Sequence, residues 1–242
     1  MMIRAKYTKM GDMVYLSHLD LVRLFERAFR RASVPLAFTQ GFNPHPMIAF
    51  AAPLSVGISS TAEYVDVVLS EPMDPAAFMQ QMNETLPTDL QLLAAVLKDE
   101  KGTASLMQEA ELMTYEISFL LQKEISEKQI SDHITDFLNQ DQVIIEKKAK
   151  PKKGNKRFGK SSKAKQVDIL PLIHQFKLLS KTDHQVTFLL AIYVVNQETV
   201  KPALIMEAWI KHGALTVLQD SMDIERKEIS KKNLQQVFVP LL

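Results

Sequence analysis

The sequence predicts an α+β protein built as two tandem ferredoxin-like (βαββαβ) halves with antiparallel sheets, residues 1–100 and 108–242. Three observations carry this. Short alternating apolar segments are separated by segments of helical period. Their order in the first half is strand, helix, strand, strand, helix, strand. The same order recurs in the second half, although the residues of the two halves do not align, so the repeat is one of topology. A chain of 242 residues has room for two domains of about 100–120 residues each.

The elements follow in order. Ile3–Lys9 alternates as a strand, with Ile3, Ala5 and Tyr7 on one face. Ser17 opens a helix: Asp20 stands three residues on, as in a capping box, and Leu16 precedes the cap as a staple. The helix is expected to bury Leu19, Val22, Phe25, Phe29 and Ala32 and to end at Pro35. Strands are expected at Leu36–Thr39, Met47–Ala51 and Glu63–Leu69, with Tyr64, Asp66 and Val68 facing away from Val65, Val67 and Leu69. Pro75 after Asp74 starts a second helix, to about Leu86, and Leu90–Leu97 closes the half. The second half reads as strand Leu112–Phe119, helix Glu124–Asn139 capped around Ser126, and strand Gln142–Lys148. Ile173–Leu179 then pairs with Gln185–Tyr193 across a turn at Lys181–His184. A helix Lys201–His212 stops at Gly213, and Met222–Ile229 is the last strand.

Composition excludes several kinds of chemistry. With no cysteine, disulfides, cysteine nucleophiles, thiolate zinc sites and cysteine-ligated clusters are ruled out. The six histidines show no H-x-x-x-H or H-E-x-x-H spacing. No Walker loop, G-x-G-x-x-G or G-x-S-x-G occurs either, so neither a metal nor a cofactor is expected. The longest apolar runs, Ile48–Leu54 and Leu189–Val195, fall far short of the roughly 20 residues that span a bilayer. Met1–Lys6 has no apolar run behind its charges, so no secretory signal is read there. The expectation is a cytoplasmic protein with no membrane partner.

The net charge of +1 hides an asymmetry. Ten lysines and arginines, and no acid, fall between Lys147 and Lys165, which leaves the rest of the chain at about −9. Any anion-binding role is therefore local. One location is the helix from Ser17, whose polar face carries Asp20, Arg23, Arg27, Arg30 and Arg31 at spacings of three and four. Arginine forms bidentate contacts with phosphate that lysine does not. A second location is the loop Gln40–Pro46. Gly41 permits positive φ there, and Pro44 and Pro46 stiffen the chain, so Gln40, Asn43 and His45 point in defined directions with Phe42 free to stack. The third is the basic run, with Lys152, Lys153, Lys156 and Arg157 as an electrostatic arm and Phe158 beside them. His18, one residue inside the helix cap, and His45 are the two candidates for acid–base chemistry. His18 and Asp20 do not share a helix face, so that pair makes a poor dyad.

Tyr15–Asp20, Arg23, Arg27-Ala28, Arg30–Ala32, Gln40–Pro44 and Pro46 together resemble the bacterial radical-SAM-linked domain of unknown function. That domain is found free-standing or fused behind a cobalamin-binding radical SAM protein. The resemblance is strongest over residues 2–70 and returns at Val167–Ile169. It implies a radical SAM partner whose substrate this chain presents; without cysteines the chain is not itself the radical enzyme. A looser, topological similarity links the expected fold to CRISPR repeat-processing endoribonucleases, which also pair two ferredoxin-like halves. Three functions are therefore weighed. The first is a non-catalytic RNA-binding or substrate-presenting module acting with a radical SAM partner on tRNA or rRNA. The second is a metal-independent endoribonuclease using His18 or His45. The third is a protein-interaction domain that docks on the radical SAM enzyme.

Overall fold

The computed structural model describes residues 1–99, 102–147 and 165–242. In chain order the elements are β1 (Met2–Lys9), α1 (His18–Arg31), β2 (Ile48–Phe50), β3 (Ser59–Val68), α2 (Pro75–Thr85) and β4 (Leu92–Lys98). There follow α3 (Leu106–Glu109), β5 (Leu112–Leu120), α4 (Glu127–Leu138), β6 (Ile144–Lys147) and β7 (Lys165–Asp168). The last are β8 (Ile173–Thr182), β9 (Gln185–Tyr193), α5 (Pro202–His212), β10 (Asp223–Lys232) and β11 (Phe238–Pro240). The fold is mixed α+β and dominated by antiparallel pairing. The chain divides into two compact units. Unit 1 is Met1–Ile117, Val194–Gln197 and Asp223–Leu242; unit 2 is Ser118–Tyr193 and Glu198–Met222.

In unit 1 the strands lie in the order β4-β1-β3-β10-β5, with β2 also on β3 and β11 on β10. β1 pairs antiparallel with β3 and with β4. The second edge of β3 is shared: β2 runs antiparallel along Val65–Val67, while β10 runs parallel beside Ser59 and Ser60. Strand alternation sends Ile3, Ala5 and Tyr7 with Val65 and Val67 into one core against α1 and α2, where Phe25, Phe29, Phe78 and Met82 meet them. Full burial of each of the Ile, Val, Phe and Met side chains stabilises by about 1.5–3 kcal/mol. Tyr7 and Phe25 pack edge to face at 5.0 Å.

The buried face of α1 is Leu21, Phe25, Ala28 and Phe29, continued by Ala32. Phe25, Phe29 and Ala32 are buried as expected, whereas Leu21 replaces Leu19 at the start of the stripe and Val22 is only half-buried. Leu19 lies two residues, about 200°, round the helix from Leu21, and it is 67% exposed. The helix also stops before Pro35. Ser33 takes φ 51°, its N–H reaches Arg30 O, and the Val34 N–H reaches Phe29 O. This is a Schellman closure with buried Val34 as its apolar contact.

The other face of the same sheet is polar and buried. Arg4 and Asp66 alternate away from the core, and Arg4 donates to both carboxylate oxygens of Asp66 at 2.8 and 2.9 Å. Arg4 also reaches Glu109 at 2.9 Å and the carbonyl of Leu241 at 3.0 Å. Lys6 and Tyr64 both meet Glu228. β10, expected as the last strand of the second half, thus belongs to unit 1. Its charged residues Arg226 and Glu228 find their partners on β1 and β3.

Unit 2 contains the β8–β9 hairpin, closed at Thr182–Gln185, and a separate β6–β7 pair. Trp209 of α5 is fully buried, with Phe176 and Phe188 edge-on to its indole. Ser126 caps α4 in a reciprocal box with Gln129. α5 does end at Gly213, but Gly213 has φ −77°. The left-handed residue is Ala214, φ 48°, whose N–H bonds Lys211 O while the Leu215 N–H bonds Ile210 O. Among the described residues no helix is long and apolar enough to cross a membrane.

Candidate functional site

α1 presents the arginine row from a helix whose opposite face is locked in the core. Ser17 caps it: its Oγ accepts from the Asp20 N–H at 3.3 Å and donates to Asp20 Oδ2 at 2.6 Å. Asp20 also lies 3.5 Å from Arg23, so its carboxylate is engaged as a cap and an ion-pair partner. Arg31 is drawn aside, donating to Thr85 O at 2.8 Å and tying α1 to the end of α2. Arg23, Arg27 and Arg30 remain as an exposed row. The guanidinium groups of Arg27 and Arg30 have no hydrogen bond or ion pair among the described residues. N-terminal to the row, exposed Leu19 extends the same stripe with apolar surface, since 19, 23, 27 and 30 repeat at four, four and three; Tyr15, 71% exposed, lies before the helix.

The loop after α1 is held by its own bonds. The Thr39 N–H donates to His45 O, the His45 N–H to Thr39 Oγ1 at 3.0 Å, and Asn43 Nδ2 lies 3.3 Å from His45 Nε2. Phe38 and Pro46 bridge beneath it. Gly41 has φ 125°, a conformation that a side chain would strain. Gln40 is exposed and Phe42 is wholly so, without a ring contact. The loop expected from the sequence is present and closed by the Thr39–His45 bonds. No hydrogen bond among the described residues joins it to the arginine row.

His18 and His45 are not brought together. His18 packs edge-on to Phe50 at 5.8 Å, beside a cavity of about 10 Å³ that Tyr7, Lys9 and Glu63 also line. That space holds at most about one water. Behind it lies a buried charge cluster: Lys9 donates to the carbonyls of Val14 and Leu16, and Arg226 donates to Glu63 at 2.9 Å and Ala52 O at 3.0 Å. Burial holds the Lys9 ammonium below its ordinary pKa, against the pull of Glu63. Arg226 is also buried, but Glu63 and Tyr115 outweigh the burial and raise its pKa. These contacts brace the approach to α1. Among the described residues no three of His, Asp and Glu gather as metal ligands. Lys152, Lys153, Lys156 and Arg157 lie outside the described residues.

One larger feature was not legible in the sequence. Beside the loop, a cleft of about 410 Å³ opens between Thr39, Pro46–Ala49 and the segment Thr103–Ser105, with Met2, Asp66 and Val68 completing its wall. Its floor is apolar, and Asp66 and the hydroxyl residues supply polar edges. The sequence signal was Asp66, an acid inside the apolar run Tyr64–Leu69.

No curated protein matches the chain. Similar solved structures include a Cbf5-Nop10-Gar1 complex, at TM-score 0.49 and 11% identity, covering 96% of this chain and 50% of that one. An H/ACA RNP bound to a substrate RNA containing 2'-deoxyuridine follows at 0.46 and 9%, covering 94% and 47%. The archaeal box H/ACA sRNP Nop10-Cbf5 complex follows at 0.44 and 10%, covering 93% and 46%. The chain thus spans about half the length of the solved chains it resembles. A family profile described as "Uncharacterized protein conserved in bacteria (DUF2344)" matches residues 2–202, a span that includes α1, the loop and the cleft, and the chain belongs to that family.

Proposed function

We propose that the chain is a non-catalytic RNA-binding or substrate-presenting module that works with a radical SAM partner in the cytoplasm. The observation that supports the RNA part is the exposed row Arg23, Arg27 and Arg30, two of whose guanidinium groups have no partner among the described residues. Seven residues of helix place the ends of the row about 10.5 Å apart, a reach suited to successive phosphates on one strand. Arginine meets each phosphate with two parallel hydrogen bonds, and exposed Phe42 offers a stacking face for a base. The basic segment 147–165 adds charge to the same chain. The radical SAM part rests on the resemblance of the Tyr15–Pro46 motifs. The β4-β1-β3 order with β2 on β3 supports a ferredoxin-like reading of the first half.

The test is fluorescence anisotropy of a labelled single-stranded RNA from 50 to 200 mM salt. Binding is expected to weaken with salt, by a slope of about −0.7 per phosphate neutralised. The double variant Arg27→Ala/Arg30→Ala removes groups with no internal partner, so the fold stays intact and the slope shrinks by about 1.4. Salt-independent binding, or none, ends this reading.

A further inference from the structure

The cleft beside the Gln40–Pro46 loop has no part in phosphate binding, and its lining specifies a different ligand. We infer that it receives one unpaired nucleobase, uncharged and bearing hydrogen-bond donors. The inference rests on the RNA reading above and names what a second site on the same chain would hold.

Three observations carry it. The volume, about 410 Å³, lies within the roughly 300–1,000 Å³ of small-ligand sites. The floor of Met47, Ala49 and Val68 suits the flat face of a base, and the lining has no lysine or arginine among the described residues. A phosphate is therefore disfavoured. The polar edge holds one acceptor-only group, the Asp66 carboxylate, and the hydroxyl residues Thr39 and Thr103, which can both donate and accept. The Asp66 carboxylate is buried and already neutralised by Arg4 on both oxygens. Each oxygen keeps a second lone-pair direction, so it accepts from a neutral N–H without demanding a cation. The walls are also fixed in advance. The loop is closed by the Thr39–His45 bonds, and β2 is paired to β3 through Ala49 and Asp66. A preformed cleft spares the ligand the cost of ordering it. Base recognition and phosphate binding are thus divided between the cleft and α1.

The test uses the intact protein and the four free nucleosides, with inorganic phosphate as the control. Ala49 pairs with Asp66 across β2 and β3 and so shares its face; Ala49→Trp fills the cleft from an exposed position. Methyl NMR signals of Met47 and Val68 are expected to shift saturably with at least one nucleoside and not with phosphate. Ala49→Trp abolishes the shifts, whereas Arg27→Ala/Arg30→Ala leaves them. With a single-stranded RNA, Ala49→Trp weakens binding about tenfold at an unchanged salt slope, and replacing one base with an abasic residue mimics it. If Ala49→Trp lowers the melting temperature, Ala49→Leu, a smaller plug, takes its place. No methyl shift with any nucleoside, an equal shift with phosphate, or shifts that survive both plugs overturns the inference. Nucleoside shifts without RNA binding would leave the cleft standing and remove the RNA reading alone.

Discussion

Arg4 offers a severe test of how unit 1 is held together. Its guanidinium is fully buried and spends its donors on Asp66, Glu109 and the carbonyl of Leu241. Arg4→Met keeps most of the volume and removes the charge. Glu109 would retain Lys231 at 2.6 Å, so it is not stranded. Asp66, 5% exposed, would lose its ion-pair partner and become a lone buried carboxylate. Breaking a buried pair in this way costs about 3–5 kcal/mol. At about 2–4 °C per kcal/mol for a chain of this size, a loss of about 4 kcal/mol lowers the unit 1 transition by about 8–16 °C. Replacing both partners tells a different story, because two apolar groups leave no orphan charge. The double variant Arg4→Met/Asp66→Leu should therefore recover at least about 2 kcal/mol of the summed single losses. Urea unfolding followed by circular dichroism measures all three variants. A loss under about 1 kcal/mol for Arg4→Met, or additivity of the two single changes to within about 0.5 kcal/mol, would refute the reasoning.

Other expectations follow from the same packing. Burial alone would raise the Glu109 pKa, but hydrogen bonds from Lys231 and Arg4 outweigh it and hold the carboxyl below its ordinary 4.5. The carboxylate thus contributes stability that is fully present above pH 4.5 and is lost as pH falls through the depressed folded value. Urea midpoints should be level from pH 7 to 5 and decline below that, with a shallower decline in Glu109→Gln. On α1, Leu19→Ser should change stability by no more than about 0.5 kcal/mol, whereas Phe25→Ala should cost about 3–5 kcal/mol; equal losses would restore the apolar stripe that starts at Leu19. Ala214→Gly relieves a left-handed alanine and should stabilise unit 2 by about 1 kcal/mol, read as a rise in its melting temperature.

Local signals were legible wherever one element decided its own form. The Ser17 and Ser126 caps, the Asp74-Pro75 start and the β8–β9 pairing all follow from residues within a few positions of one another. The stripe on α1 was not legible from its N-terminal end, because Leu19 and Leu21 are both leucines and only tertiary packing chooses between faces 200° apart. The helices stop near the expected places, α1 short of Pro35 and α5 at Gly213, but other residues make the closing turn. Glycine and proline are the usual punctuation, yet Ser33 and Ala214 take the left-handed turn because the following Val34 and Leu215 N–H groups are needed to close the last carbonyls.

The placement of β10 was out of reach for a different cause. Besides its short parallel pairing with β3, polar contacts tie it to β1 and β3: Arg226 to Glu63, and Glu228 to Lys6 and Tyr64, over separations of more than 160 residues. Charged residues on a strand read as solvent-facing, so a buried ionic layer leaves no periodic trace. The same blindness applies to the site. The arginine row was visible because a helix face is a local repeat. The cleft was not, because it joins residues near 2, 39–49, 66–68 and 103–105, and its key acceptor, Asp66, takes its meaning from Arg4 on the neighbouring strand. A feature that repeats along one element can be seen in sequence; one assembled across four segments needs the fold. That asymmetry is why the row proposed for phosphate has a sequence signature and the cleft proposed for a base has none.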